Sequence, residues 1–329
     1  MQDQYERKIE YVRISLTDRC NLRCRYCMPE LGVEKMRHGD ILTFTEILRI
    51  VQGMAALGVK KVRLTGGEPL VRRDIAELIF ALRQIPGIEQ VALTTNGVLL
   101  SALGEDLMRA GLTGLNISLD TLRAETFTEI TRRPLFTQVQ AGAAKMLSLG
   151  MENIKFNCVP IYEVNDGEIP ALAALAKAYP VKVRFIELMP IGCAYASGYR
   201  GVPMADVQRR LEKAYGRLRP VRNKQDALQG PAEYYRLAGF AGQVGFIDAM
   251  EHKFCADCNR VRLTAEGFLK LCLNQKNGLD LRALLRQGIS DDNLKLALRQ
   301  AIFRKPAEHL FKDSKNTARD SRAMYQVGG

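Results

Sequence analysis

The sequence contains no tryptophan, and aromatic residues fill only 7% of its 329 positions. Nucleic-acid binders interleave basic clusters with stacking aromatics, so this shortage counts against that class despite a formal charge of +12. Histidine is scarce too. His38, His252 and His309 are too scattered to supply the base of a serine–histidine catalytic set. No apolar run approaches the roughly 20 residues that cross a bilayer. The start of the chain lacks the basic–apolar–small-residue order of a secretory signal. These absences predict a cytoplasmic protein with no membrane contact and no nucleic-acid partner. Whole-chain disorder is excluded by 47% hydrophobic residues, enough for a sizeable core.

What the chain does have is dispersed positive charge and clustered cysteine. Dispersed basicity suits a pocket for a phosphorylated small molecule about as well as a nucleic-acid groove. Six of the eight cysteines fall into two trios, Cys20/Cys24/Cys27 and Cys255/Cys258/Cys272. In a reducing compartment such clusters bind metal or do redox chemistry rather than form a disulfide framework. Cys158 sits in an apolar run and reads as a core thiol. Cys193 stands apart.

Short β-rich runs at 11–16, 61–65, 90–94, 114–118, 154–159 and 182–188 alternate with helical patterns at 45–57, 75–84, 103–110, 138–149 and 169–179. That alternation predicts a parallel sheet with crossover helices. Six units are too few for an eight-stranded barrel, and fit a partial barrel or an open doubly wound sheet. The polar and glycine-bearing motifs fall at the carboxyl ends of the strands, where parallel α/β folds bind ligands. The alternation stops near residue 191. A Gly/Ala/Ser/Tyr-rich connection at 192–201 follows, then helical patterns at 205–215, 281–286 and 293–303 and several short strand-like runs. The chain is therefore read as α/β: a partial (β/α)6 TIM-type barrel over residues 1–190, and a C-terminal α+β extension over 191–329. That extension carries the second cysteine trio and a Gly-Gly tail.

The first trio has C-x3-C-x2-C spacing. Three thiolates can hold one corner each of a [4Fe–4S] cube and leave the fourth iron open to a non-protein ligand. The alternative is a zinc site with a distant fourth ligand. For the second trio, with His252 three residues upstream of Cys255, a Cys3His zinc site and an iron–sulfur cluster are equally compatible with the spacing.

The first loop, with Tyr26 before its third cysteine and Gly66-Gly67-Glu68-Pro69 after the next strand, resembles the radical S-adenosylmethionine (SAM) superfamily. Phe254–Thr264 with Leu271-Cys272-Leu273 resembles the C-terminal cluster segment of the GTP 3′,8-cyclase family of molybdenum cofactor biosynthesis. So do Arg13–Asp18, Val62–Pro69, Arg184–Met189 and the closing Gly328-Gly329. The chain departs from that family's pattern at Asn274–Gly278, just after the last cysteine.

The resemblance implies two [4Fe–4S] clusters, each on three cysteines: Cys20, Cys24 and Cys27 for the one that cleaves SAM, Cys255, Cys258 and Cys272 for the one that meets guanine. It implies SAM contacts from Tyr26, Gly67, Ser118 and Met189. It implies GTP contacts from Arg13, Arg63, Thr94, Lys155, Arg260, Val261 and Arg262. A deoxyadenosyl radical would take the ribose 3′ hydrogen, and the carbon radical would attack guanine C8. The implied partners are an electron donor and a downstream cyclic pyranopterin monophosphate synthase, with a homodimer allowed. By its polarity, the tail from Lys312 to Gly329 reads as a frayed end. The resemblance implies instead that Gly328 and Gly329 reach the active site. Two rivals predict other features. A peptide-maturing radical SAM enzyme calls for a peptide groove and more C-terminal cysteines. A zinc-stabilised nucleic-acid binder calls for a colourless protein.

Overall fold

The computed structural model describes residues 1–34, 36–221, 228, 230–250, 254–311 and 320–328. Among them, twelve strands join one sheet. They are β1 (Tyr11–Ser15), β2 (Lys61–Thr65), β3 (Gln90–Thr95), β4 (Gly114–Ser118), β5 (Ile154–Cys158), β6 (Lys182–Ile186), β7 (Arg219–Pro220), β8 (Glu233–Arg236), β9 (Gln243–Ile247), β10 (Arg260–Leu263), β11 (Phe268–Lys270) and β12 (Gly278–Asp280). The spatial order is β12-β11-β10-β1-β2-β3-β4-β5-β6-β9-β8-β7.

The six predicted strands lie side by side and parallel. The C-terminal part then adds a parallel strand at each side, β10 against β1 and β9 against β6. The run of parallel strands is thus longer than the six units legible in the sequence, and it crosses from residues 1–190 into 191–329. Antiparallel pairs finish both edges. Among the described residues the two ends of the sheet do not pair with each other, so the barrel stays open.

Strand side chains alternate between faces. Val12, Ile14, Val62, Leu64, Val91, Leu93, Leu115, Ile117, Phe156, Val183, Phe185 and Val261 share the face covered by helices and are buried in the main core. The helix Phe44–Ala56 begins with a reciprocal cap between Thr43 and Glu46. It buries Ile47, Ile50, Val51 and Met54. Asp291–Phe303, capped by Ser290, packs beside it through Leu294 and Leu298. No helix among the described residues is long and apolar enough to cross a membrane.

Local differences from the sequence reading have local causes. The pattern at 169–179 breaks at Ala174 into Ile169–Ala173 and Leu175–Ala178. An unpredicted helix, Ala124–Thr131, ends where Arg132 turns left-handed at φ 55°. The connection at 192–201 contains one helical turn, Cys193–Ala196.

Candidate active site

The other face of the sheet lines a cavity. In an ordinary (β/α)8 barrel that interior is filled by Val, Ile and Leu. Here three adjacent strands place polar triplets in direct register: Arg260-Val261-Arg262 on β10, Tyr11-Val12-Arg13 on β1 and Lys61-Val62-Arg63 on β2. The valines point to the helices, and the flanking residues point inward. Opposite, Lys155 of β5 pairs with Lys182 of β6, and Asn157 with Arg184.

These cations crowd one another. Burial, then repulsion from Arg63, Arg260 and Arg184, lowers Arg13 to about 10 despite the pull of Tyr11. Burial followed by Arg13 and Arg260 drives Arg262 well down. Lys155 falls to about 5, through burial and then the charges of Arg184, Arg63, Lys182 and Lys61. Among the described residues, none of Arg13, Arg63, Lys155, Arg184, Arg260 and Arg262 forms an ion pair with a carboxylate. Nε of Arg13 is buried without a hydrogen-bond acceptor. Arginines gathered in this way make an anion site.

Above this wall the strand ends carry the cysteine loops. After β1 the chain is laced to the loop after β2: Gly67 N–H donates to Thr17 O at 2.7 Å and Glu68 N–H to Arg19 O at 2.8 Å. A Cβ on Gly67 would lie 2.4 Å from Arg19 O, so only glycine lets the two backbones meet. The amides of Cys27 and Met28 both donate to Cys24 O at 2.9 Å, which curls the loop. Cys20 Sγ accepts from Leu22 N–H at 3.3 Å and from Asn96 Nδ2 at 3.7 Å.

The second trio forms where Cys258 N–H donates to Cys255 O at 3.2 Å just before β10, with Cys272 after β11. His309 N–H donates to Cys255 Sγ at 3.5 Å. Arg7 ties the segment down, donating to Cys255 O at 2.8 Å, Ala307 O at 2.7 Å and Pro306 O at 2.6 Å. Its own charge is met by buried Asp3 at 2.6 Å.

All six cysteines line one cavity of about 330 Å³. Among the described residues no three His, Cys, Asp or Glu side chains gather closely enough to hold a single metal ion. A cube gives each cysteine its own iron, so it asks only that three thiols face a common space, and both trios do. Burial pushes the Cys20 thiol up to about 11 and Cys24 well up. A metal bound there must displace protons. At Cys258, burial is outweighed by Arg260 and Lys305, and the thiol falls to about 7.

Two buried carboxyls brace the same mouth. Glu68 accepts from Thr95 Oγ1 at 2.7 Å, Asn96 N–H at 2.7 Å and Leu70 N–H at 3.0 Å, and burial raises it to about 7. Asp120 accepts from the Tyr26 hydroxyl at 2.6 Å and Val159 N–H at 2.8 Å, and burial raises it to about 6.

The end of the chain returns to this mouth. Asp320 N–H donates to Asn274 O at 2.9 Å, and its carboxylate meets the buried Lys270 amine. Arg322 donates to Glu266 at 2.9 Å and lies 4.7 Å over the Phe268 ring. One helical turn, Met324–Val327, leads to Gly328, whose carbonyl accepts from Arg262.

Of the residues picked out in the sequence, Arg13, Tyr26, Arg63, Gly67, Thr94, Ser118, Met189, Arg260, Val261, Arg262 and the six cysteines line the cavity. Val261 offers its backbone, since its side chain faces the helices. Lys155 does not reach the wall; its amine turns to Asn153 Oδ1. Gly328 sits beside the cavity against Thr65. Gly329, His252 and 312–319 lie outside the described residues. Sequence reasoning passed over Tyr11, Lys61 and Arg184, although the repeated basic–Val–basic triplet marks two of them.

The profile of the Radical SAM superfamily matches residues 14–176, and that of Molybdenum Cofactor Synthesis C matches residues 181–311. The GTP 3′,8-cyclase of Syntrophomonas wolfei is 47% identical over 330 residues, covering 100% of both chains. Those of Moorella thermoacetica and Clostridium perfringens are 46% and 45% identical, again over 100% of both chains. Among solved structures, Streptococcus suis SuiB is similar with a TM-score of 0.62 at 16% identity, over 91% of this chain and 67% of that one. SuiB bound to S-adenosylmethionine gives 0.58 at 18% identity, over 81% and 60%. At such identities the likeness concerns the fold.

Proposed function

The chain belongs to the GTP 3′,8-cyclase family, and we propose how its residues divide that family's task. It is a radical SAM enzyme of molybdenum cofactor biosynthesis, a lyase that cyclises GTP to (8S)-3′,8-cyclo-7,8-dihydroguanosine 5′-triphosphate. Cys20, Cys24 and Cys27 hold one [4Fe–4S] cluster, and Cys255, Cys258 and Cys272 the other. When bound, the first supplies the electron that releases a 5′-deoxyadenosyl radical from SAM. Gly67 lets the backbone come close to the methionyl group. Tyr26, Ser118 and Met189 complete the SAM contacts.

Arg13, Arg63, Arg260 and Arg262 hold the triphosphate, with Thr94 and the Val261 backbone beside it. Arg suits this role because its fork meets phosphate oxygens bidentately. Lys155, uncharged while the pocket is empty, regains its proton in the field of the anion and then adds its charge to the same site. The guanosine then lies between the two cysteine trios, where position and exclusion of water are what the protein adds to cofactor chemistry. The observation that carries this reading is the register of three strands, which aligns Arg13, Arg63, Arg260 and Arg262 on one inner wall, where among the described residues none of the four forms an ion pair with a carboxylate. The tail brings Gly328 to the mouth, and Gly328 and Gly329 are assigned to the reaction there. A cytoplasmic location, a separate electron donor, handover to cyclic pyranopterin monophosphate synthase and a homodimer complete the proposal.

The test is an anaerobic assay of reconstituted protein with SAM, a reductant and GTP. It should yield 5′-deoxyadenosine and the cyclised triphosphate together. Deoxyadenosine formed equally with or without GTP, and no cyclised nucleotide, would overturn the reading.

A further inference from the structure

Tyr11 stands in the first inward row of the cavity wall, between Arg260 on β10 and Lys61 on β2. It is 4% exposed. Its phenol oxygen accepts from Nε of Arg63. The Lys61 amine lies 5.4 Å from the ring centroid and the Arg63 guanidinium 5.9 Å. Arg13 on the same strand, Arg262 on β10 and Arg184 on β6 also feel its charge. Among the described residues, the charged groups that act on it from these strands are all cations.

We infer that Tyr11 is the internal counter-anion of the triphosphate pocket: its phenolate offsets the cations and steadies Arg63 while the pocket is empty, and takes up a proton when phosphate supplies that charge. This rests on the placement of the triphosphate proposed above. Burial opposes the phenolate, but Arg63, Arg13 and Lys61 outweigh it and bring the group to about 7. An incoming polyanion cancels those fields and sends the pKa back toward that of an ordinary phenol, near 10. The proton comes from solvent, and no bond to the nucleotide is made or broken. A merely structural tyrosine would stay protonated throughout.

The experiment is calorimetric titration of GTP into the anaerobic holoenzyme at about pH 8, in HEPES and in Tris, whose different ionisation heats count the protons bound. Wild type should take up about one proton more per GTP than Tyr11→Phe, which keeps the ring and loses the ionisable oxygen. Wild type alone gives a second readout. The phenolate ultraviolet band of the nucleotide-free enzyme should vanish on saturation with inorganic triphosphate. Guanosine, lacking phosphate, should leave it in place. Equal proton counts, or a band indifferent to triphosphate, with GTP still bound more tightly than guanosine, overturn the counter-anion. Equal binding of GTP and guanosine overturns the placement of the triphosphate instead.

Discussion

Arg262 donates a hydrogen bond to the carbonyl of Gly328, so an inward-facing cation of the last parallel strand holds the end of the chain at the mouth of the cavity. Gly328 has a φ of 77°, and a Cβ there would lie 2.5 Å from Thr65 Cγ2. Both facts demand glycine. Gly328→Ala should leave folding and iron content unchanged while displacing the tail. Misplacement of about 1 Å near a reacting centre costs on the order of 100-fold in rate. Cyclised product should fall by that order, measured against binding of SAM, which should hold.

Arg63→Ala should weaken GTP and spare SAM. Its guanidinium donates to Tyr11 and approaches Thr94 Oγ1 at 3.5 Å, on the wall rather than at the cysteine loops. Loss of one partner in a buried charged contact costs about 2–5 kcal/mol, so the GTP dissociation constant should rise roughly 30-fold or more. Equilibrium binding of both ligands checks the split.

Arg7→Ala should empty the second cysteine trio. The residue bridges Asp3 to three carbonyls around Cys255, and both members of the ion pair are buried. Breaking such a pair costs about 3–5 kcal/mol, concentrated here on one loop. Reconstituted iron should drop from about eight to about four per chain. SAM cleavage should outlast cyclisation.

Lys155→Met should stabilise the ligand-free protein. Folded Lys155 titrates near 5, against a free value of 10.5, so the unfolded chain binds the proton more tightly between those limits. The folded state therefore loses stability as pH falls from 10.5 toward 5. The variant escapes that loss, so its advantage should be greatest near pH 5 and fade toward pH 10.5. A melting-temperature gain of roughly 2 °C or more at neutral pH is the expected scale. Binding of GTP, which benefits from a recharged amine, should weaken.

How much of this could be read in the sequence depends on range. Strands β2 and β4 fall at their predicted bounds, and the other four inner strands within one or two residues, because period-two patterns and terminal turns are local signals. The helix Ala124–Thr131 escaped because it is short and threonine-rich, with only Ala124, Phe127 and Ile130 to mark its apolar face. The pairing of Arg260–Leu263 with β1 escaped for a different reason. A four-residue strand carries no mark of which distant edge it will join, or of its direction. The triplets Lys61-Val62-Arg63, Lys182-Val183-Arg184 and Arg260-Val261-Arg262 stood in plain view, yet each cation there looks like a solvated surface charge until register sets the triplets together. The tail, mostly polar and without periodicity, is held by Lys270–Asp320 and Arg322–Glu266, contacts that no local pattern announces.

The partnership of β10 with β1 also orders events on the ribosome. Strand β1 emerges before the other described strands, and its partner follows roughly 250 residues later. At synthesis rates of about 5–20 residues per second, that leaves an open edge for on the order of 10 to 50 seconds. An unpaired edge invites pairing with another chain. One flank therefore waits while β2 to β9 are made, and iron can be loaded at the second trio only after Cys272 has followed β11 into place.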